Sequence, residues 1–204
     1  MFVHIQKTAG ISIVNALSKH GGKGRFHQHI LDMLAESELN KNYFKFAFVR
    51  NPWDRAVSRY FYVKANSKNK KKTRIKRYKN STFEEYVRNE NNEFFLDTKR
   101  YANVFPGQRI YLEKIMKKYS PFENQLDWIS DENGKVLIDF IGRFENLAMD
   151  FKKICKKIGI PPISLKHTNK SKHKHYTEYY NKETRKIIEE KYCRDIEYFK
   201  YRFK

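Results

Sequence analysis

The sequence predicts an α/β fold, a single domain with a mainly parallel central sheet flanked by helices. Three observations predict it. Apolar runs of strand length alternate with helix-patterned segments along the chain. Two of those runs, at 2–6 and 44–50, end in short polar turns that open helices. The chain has 204 residues, enough for one real core and cramped for two, so 1–204 reads as one domain.

The elements follow in order. Residues 2–6 form the first strand, and Ile13, Val14, Ala16 and Leu17 give a helix over 10–19. Gly21-Gly22-Lys23-Gly24 breaks the chain. Arg25–Ile30 is short and strand-like, and Ile30–Leu39 is helix-patterned. Phe44–Arg50 has the unbroken apolar character of a strand buried on both faces. Asn51-Pro52 supplies an N-cap and a first-turn proline for a helix to Val63. In 64–80, nine of seventeen residues are Lys or Arg and none is acidic, the pattern of a basic surface insertion. Ser81-Thr-Phe-Glu84 is a capping box opening another helix. Residues 91–106 carry no readable period, Ile110–Lys118 is helical, and Ser120-Pro121 ends it. Asp131–Gly134 is a turn before a strand at Val136–Phe144. Glu145–Ile158 is an amphipathic helix closed by Gly159 and Pro161. After a polar, His/Lys-rich stretch at 163–176, Asn181–Tyr192 is the last helix, followed by an aromatic tail.

Composition narrows the function classes. Aromatics at 16% and hydrophobics at 40% exclude a disordered chain. A formal charge of +20 points to an anionic partner: nucleotide, acidic polysaccharide, nucleic acid or membrane surface. The two cysteines, Cys155 and Cys193, form neither a disulfide framework nor a metal pattern, and Cys155 shares helical spacing with Leu147, Phe151, Ile154 and Ile158. No stretch spans a bilayer, and the chain enters a strand at once without room for a signal peptide. Together these features predict a cytoplasmic setting.

The chemistry concentrates at the two strand exits. Lys7, Thr8, Ala9, Gly10, Ile11 and Ser12 lie where a strand feeds a helix. Backbone N–H groups at a helix start, with a lysine beside them, make a pocket for phosphate or a similar anion. The usual nucleotide-triphosphate loop, G-x-x-x-x-G-K-[ST], is absent, because the lysine precedes the glycine. At the second exit, Arg50 ends a strand, and Ser58 shares a helix face with Arg55, Arg59 and Tyr62. A guanidinium and a hydroxyl suit a phosphate monoester. Two anion sites on one small domain suggest a ligand with two separated phosphate-like groups.

In these segments the chain resembles the sulfotransferases. Lys7-Thr-Ala-Gly-Ile-Ser12 after a strand is similar to their 5′-phosphosulfate loop, and Arg50-Asn-Pro-Trp-Asp-Arg-Ala-Val-Ser58 to their 3′-phosphate motif. The form Phe-Val-His-Ile-Gln-Lys-Thr-Ala-Gly resembles the carbohydrate (Golgi-type and bacterial) sulfotransferases, as do Val136–Leu147 and His-Thr-Asn-Lys-Ser at 167–171. The resemblance implies a P-loop-like sulfotransferase fold and a donor, 3′-phosphoadenosine 5′-phosphosulfate (PAPS), used without a metal. It implies that Lys7, Thr8, Ala9, Gly10, Ile11 and Ser12 hold the 5′-phosphosulfate, with Lys7 also catalytic. Arg50 and Ser58 would hold the 3′-phosphate, and Asn169 and Ser171 would belong to a segment closing over the nucleotide. Ile11 departs from the hydroxyl residue common there. The implied acceptor is a hydroxyl of a glycan or similar molecule, acidic ones included.

The acceptor needs a base. Alternation on a short extended segment would point His27 and His29 the same way, and heparan-type sulfotransferases look similar here. His29 is the expected base, with His27 its helper or a substrate contact, since histidine titrates near neutrality. His4, inside a strand, reads as structural. His167, His173 and His175 lack cysteine or carboxylate partners, so no metal site is expected. Trp53 and Trp128 read as core or rim. Two other readings remain open at this point: a kinase-like nucleotide enzyme, and a basic nucleic-acid binder without a recognised motif.

Overall fold

Phe46-Ala47-Phe48-Val49 places apolar side chains on both sides of an extended backbone, which is stable only where both sides are covered. It forms β2 (Phe46–Val49), with all four residues buried. β1 (Phe2–Val3) and β3 (Phe140–Arg143) pair with it in parallel, in the order β1-β2-β3. Phe2 stands opposite Phe46, and Arg143 opposite Val49. The computed structural model describes residues 1–21, 29–66, 80–89, 124–165 and 173–204. Among these the helices are α1 (Gly10–Ser18), α2 (Ile30–Ala35), α3 (Pro52–Asn66), α4 (Phe83–Asn89), α5 (Leu147–Lys157), α6 (Lys182–Lys191) and α7 (Cys193–Phe199). The chain divides into two compact units, Met1–Arg50 with Asn124–Lys170, and Asn51–Glu123 with Ser171–Lys204.

The first unit holds the parallel sheet. Phe46 and Phe48 pack with Ile13 and Ala16 of α1 and with Phe151, Ile154 and Cys155 of α5. Burying each phenylalanine contributes about 2–3 kcal/mol. Cys155 therefore belongs to the core, as its spacing predicts. Gly142 lies opposite Phe48, whose ring would be 2.5 Å from a Cβ built at position 142. The absent side chain makes room for the aromatic one.

The second unit is helical and aromatic. Asn51 caps α3: its Oδ1 accepts from the N–H groups of Trp53 at 3.0 Å and Asp54 at 3.4 Å. Trp53, Val57, Tyr60 and Val63 are buried on α3, as are Phe83, Tyr86 and Val87 on α4. The Phe83 ring meets Tyr60 at 5.6 Å and Tyr180 at 4.9 Å. Asn181 and Thr184 form a reciprocal capping box that starts α6.

Several boundaries differ from the sequence expectation. β1 stops at Val3, and the strand expected at 136–144 narrows to β3, with Val136 instead bridging Ser130 antiparallel. The helix expected over 30–39 divides, because Ser37 caps a separate 3₁₀ turn at Glu38–Asn42. The α4 box uses Thr82 and Glu85 one residue later than expected: Thr82 Oγ1 accepts from Glu85 N–H at 3.1 Å, and Glu85 Oε2 from Thr82 N–H at 2.7 Å. The tail after Tyr192 contains α7. The expected helix at 110–118 lies outside the described residues, as does all but the two ends of the basic segment 64–80. No helix among the described residues is long and apolar enough to cross a membrane.

Two local features give measurable consequences. Lys200 ends α7 in the left-handed region, at φ 56° and ψ 41°, a conformation that costs a residue with a Cβ about 1–2 kcal/mol. Lys200→Gly is expected to raise the melting temperature by about 2–4 °C, and a fall in a thermal scan would contradict this. At the start of α2, His29 Nδ1 accepts from Leu31 N–H at 3.1 Å. Burial holds its imidazole down to about 4 from the ordinary 6.5, against a hydrogen bond to the Asp127 backbone that favours the charged ring. Asp32 sits three residues on, its carboxyl lifted to about 6 by burial and then by Glu36, against a hydrogen bond from the His29 backbone.

The two groups act with opposite sign. The neutral His29 cap stabilises fully above pH 6.5, and that contribution is lost as pH falls to about 4, because the unfolded chain takes the proton first. The contribution of neutral Asp32 is full below pH 3.8 and is lost as pH rises through about 6. His29→Asn keeps a capping acceptor and removes only the first term. Its melting temperature relative to the native chain is expected to climb steadily on acidification between these limits; parallel curves would refute the assignment.

Candidate functional site

Three parallel strands release the chain at one edge of the first unit, and ligand sites of such sheets form at the carboxyl ends of the strands. After β1 the backbone turns through two strained residues: Lys7 and Ala9 both have φ 67°. Thr8 between them is fully buried, and its hydroxyl donates to the Ile5 carbonyl at 2.9 Å. Turns with left-handed residues can gather successive backbone N–H groups into a concave, anion-seeking surface. Non-glycine residues hold that conformation only where their surroundings impose it.

The helix that follows has no side-chain cap at its start. The N-cap of α1 is Ala9, which offers no side-chain acceptor, and the first turn contains no acidic residue. Its leading N–H groups therefore meet neither a side-chain cap nor a carboxylate of that turn, and the helix adds about half a positive charge there. Gly10 is required by packing: a Cβ built on it would lie 1.8 Å from the His4 ring. His4 is buried and stacks on Phe2 with centroids 5.7 Å apart, so its expected structural role is what the geometry shows. Ser12 is buried and Ile11 is exposed.

Arg50 follows β2 directly. Its Nη1 donates to the Lys7 carbonyl at 3.2 Å, which joins the two expected anion motifs. The guanidinium carbon lies 3.9 Å from the centre of the Phe144 ring, just past β3. Gln125 holds the Arg50 backbone at both polar groups: its Oε1 accepts from Arg50 N–H, and its Nε2 donates to the Arg50 carbonyl, each at 2.8 Å. Neither Gln125 nor Phe144 is apparent from the sequence. Gln125 is 75 positions from its partner, and no local pattern connects them.

The second unit contains Ser58, buried on α3 between Arg55 and Arg59, which are buried too. The shared face expected from the sequence holds for these three, while Tyr62 is exposed. Arg55 is answered by the fully buried Asp195 at 3.9 Å and lies 5.7 Å from the Tyr192 ring. Trp53 and Trp128 are buried core residues. Trp53 Nε1 donates to the Arg185 carbonyl at 3.3 Å.

His29 is engaged at both ring nitrogens. The bond from Leu31 N–H occupies the lone pair of Nδ1, and the Asp127 backbone takes the remaining N–H. That use competes with receiving a proton from an acceptor. His27, Asn169 and Ser171 lie outside the described residues. Among the described residues no group of three His, Cys, Asp or Glu side chains is arranged to hold a metal ion.

Comparison with known proteins bears on the same segments. Residues 1–202 match the model of a family described as the sulfotransferase family. An uncharacterized protein of Archaeoglobus fulgidus is 32% identical over 124 residues, which make up 61% of this chain and 74% of that protein. No solved structure matches the chain. The family match includes the Lys7 turn, the Arg50 strand exit and the helix carrying Ser58, and on that match the chain belongs to the sulfotransferase family.

Proposed function

We propose that this protein moves the sulfuryl group of PAPS to a hydroxyl of a carbohydrate or similar acceptor, leaving adenosine 3′,5′-bisphosphate. The observation that carries the proposal is the Lys7 turn, with its two left-handed residues and side-chain-uncapped helix, bonded to Arg50 at the same sheet edge. A donor with an anion at each end of its ribose needs two cationic grips, and these residues fit that need. PAPS supplies an activated sulfuryl group on a phosphate that can leave.

The residues divide the work. Lys7 and the N–H groups of 8–12 bind the 5′ end and stabilise charge growing on the departing phosphate oxygen. Arg50 and Ser58 take the 3′-phosphate, on the strength of the sequence motif, and Asn169 and Ser171 close over the nucleotide. The transfer is in-line: the acceptor oxygen forms its bond to sulfur as the sulfur–oxygen bond to the phosphate breaks, and the acceptor proton passes to an imidazole. The sulfuryl group carries less charge than a phosphoryl group, so Lys7 and the helix end are assigned the stabilisation without a metal. Because His29 caps α2, the proton is assigned to His27, with His29 anchoring the segment next to it. A single catalytic domain over 1–204 and guidance of acidic acceptors by 64–80 belong to the same reading.

Two measurements test it. Adenosine 3′,5′-bisphosphate is expected to raise the melting temperature more than ATP with magnesium does; the reverse order would favour a kinase. Lys7→Ala is expected to lower kcat with PAPS and a polysaccharide acceptor by about 10²–10³, the scale of a lost oxyanion donor. An unchanged kcat would remove Lys7 from the mechanism.

A further inference from the structure

We propose that Gln125 is a positioning residue for the sulfuryl donor, acting through Arg50 on the Lys7 turn. Its side chain is fully buried, and an amide in such a place costs free energy unless it is hydrogen-bonded. Both ends of the amide are bonded to one residue, the N–H and the C=O of Arg50, at 2.8 Å. Two residues facing each other in the hydrogen-bonded pair of an antiparallel ladder exchange the same two bonds.

The geometry explains why a side chain does this job. The β2–β3 pairing ends with Val49 opposite Arg143, after which the chain leaves β3 through a 3₁₀ turn at Phe144–Asn146. Gln125 bonds Arg50, the residue after the last paired position of β2. It stands at the N-cap of the 3₁₀ turn Leu126–Trp128, yet its side chain makes no capping bond there. The buried Trp128 and Ile129 fix that turn, and Trp128 N–H donates to the Gln125 carbonyl at 3.2 Å. The amide is thus delivered by a rigid element.

The consequence reaches the turn after β1. Arg50 Nη1 meets the Lys7 carbonyl at 3.2 Å, and Lys7 is one of the two strained residues of that turn. Fixing the Arg50 backbone fixes where its guanidinium starts. The guanidinium, seated on Phe144, holds the carbonyl that follows from φ 67° at Lys7. Gln125 therefore sets both proposed grips through one residue, without touching the donor.

The donor part of this inference rests on the PAPS reading; the mechanical part does not, and two experiments separate them. Gln125→Met keeps length and volume and loses both bonds. Gln125→Glu keeps the acceptor for Arg50 N–H and loses the donor. In hydrogen exchange without ligand, the amide of Ile13, which donates to the Ala9 carbonyl at 3.2 Å, is expected to exchange about tenfold faster in both variants, while those of α5 stay unchanged. Unaltered exchange at Ile13 in either folded variant would overturn the mechanical part. In calorimetry with adenosine 3′,5′-bisphosphate, Kd is expected to rise about tenfold with one site still filled per chain. A lower filled fraction at unchanged Kd would show a merely structural role and overturn the proposal. Faster exchange with a native chain that binds no bisphosphate would leave the mechanical part standing and defeat the donor reading.

Discussion

The parallel placement of β2 between β1 and β3 is the constraint on which the site depends. A strand with four apolar residues in succession cannot lie at an edge or face water, so it takes the middle of the sheet. Parallel neighbours then exit in the same direction. This single fact brings the Lys7 turn, Arg50 and Phe144 together from three distant parts of the sequence. The hydrophobic core under Phe46 and Phe48 serves the chemistry only indirectly, by fixing the three exits.

At those exits the protein accepts local cost. Two left-handed residues with side chains, a buried arginine and a buried glutamine occur within a few residues of the sheet edge. Among the described residues of the first unit, Lys7 and Ala9 alone hold a positive φ without being glycine. Backbone of this kind persists only where the surrounding structure imposes it. The Arg50 bond to the Lys7 carbonyl is one visible restraint on the strain.

Much of this was legible in the sequence where the signal is local. The unbroken apolar run of β2, the Asn51-Pro52 start of α3 and the amphipathic spacing of α5 all predict the elements found. The Lys7 and Arg50 segments stood out because polar residues follow apolar runs. Where two adjacent hydroxyl residues each precede a glutamate by three, pattern alone could not choose, and Thr82 took the cap from Ser81. α7 is not legible in the sequence because its 7 residues make only two turns, too few to show a period. That His29 also caps α2 is not legible in the sequence, because histidine is an uncommon helix cap and Asp127 lies far along the chain. Gln125 was invisible for the same reason: its partners are peptide groups, which every residue has.

The contact between His4 and Gly10 has a consequence for how this chain can drift. The imidazole fills the space that any larger residue at position 10 would need. Positions 4 and 10 are thus a single steric unit, and a mutation at one is judged by the occupant of the other. An alanine at 10 is admissible only once position 4 has shrunk or its ring has moved, so the two changes are tolerated in one order and not in the other.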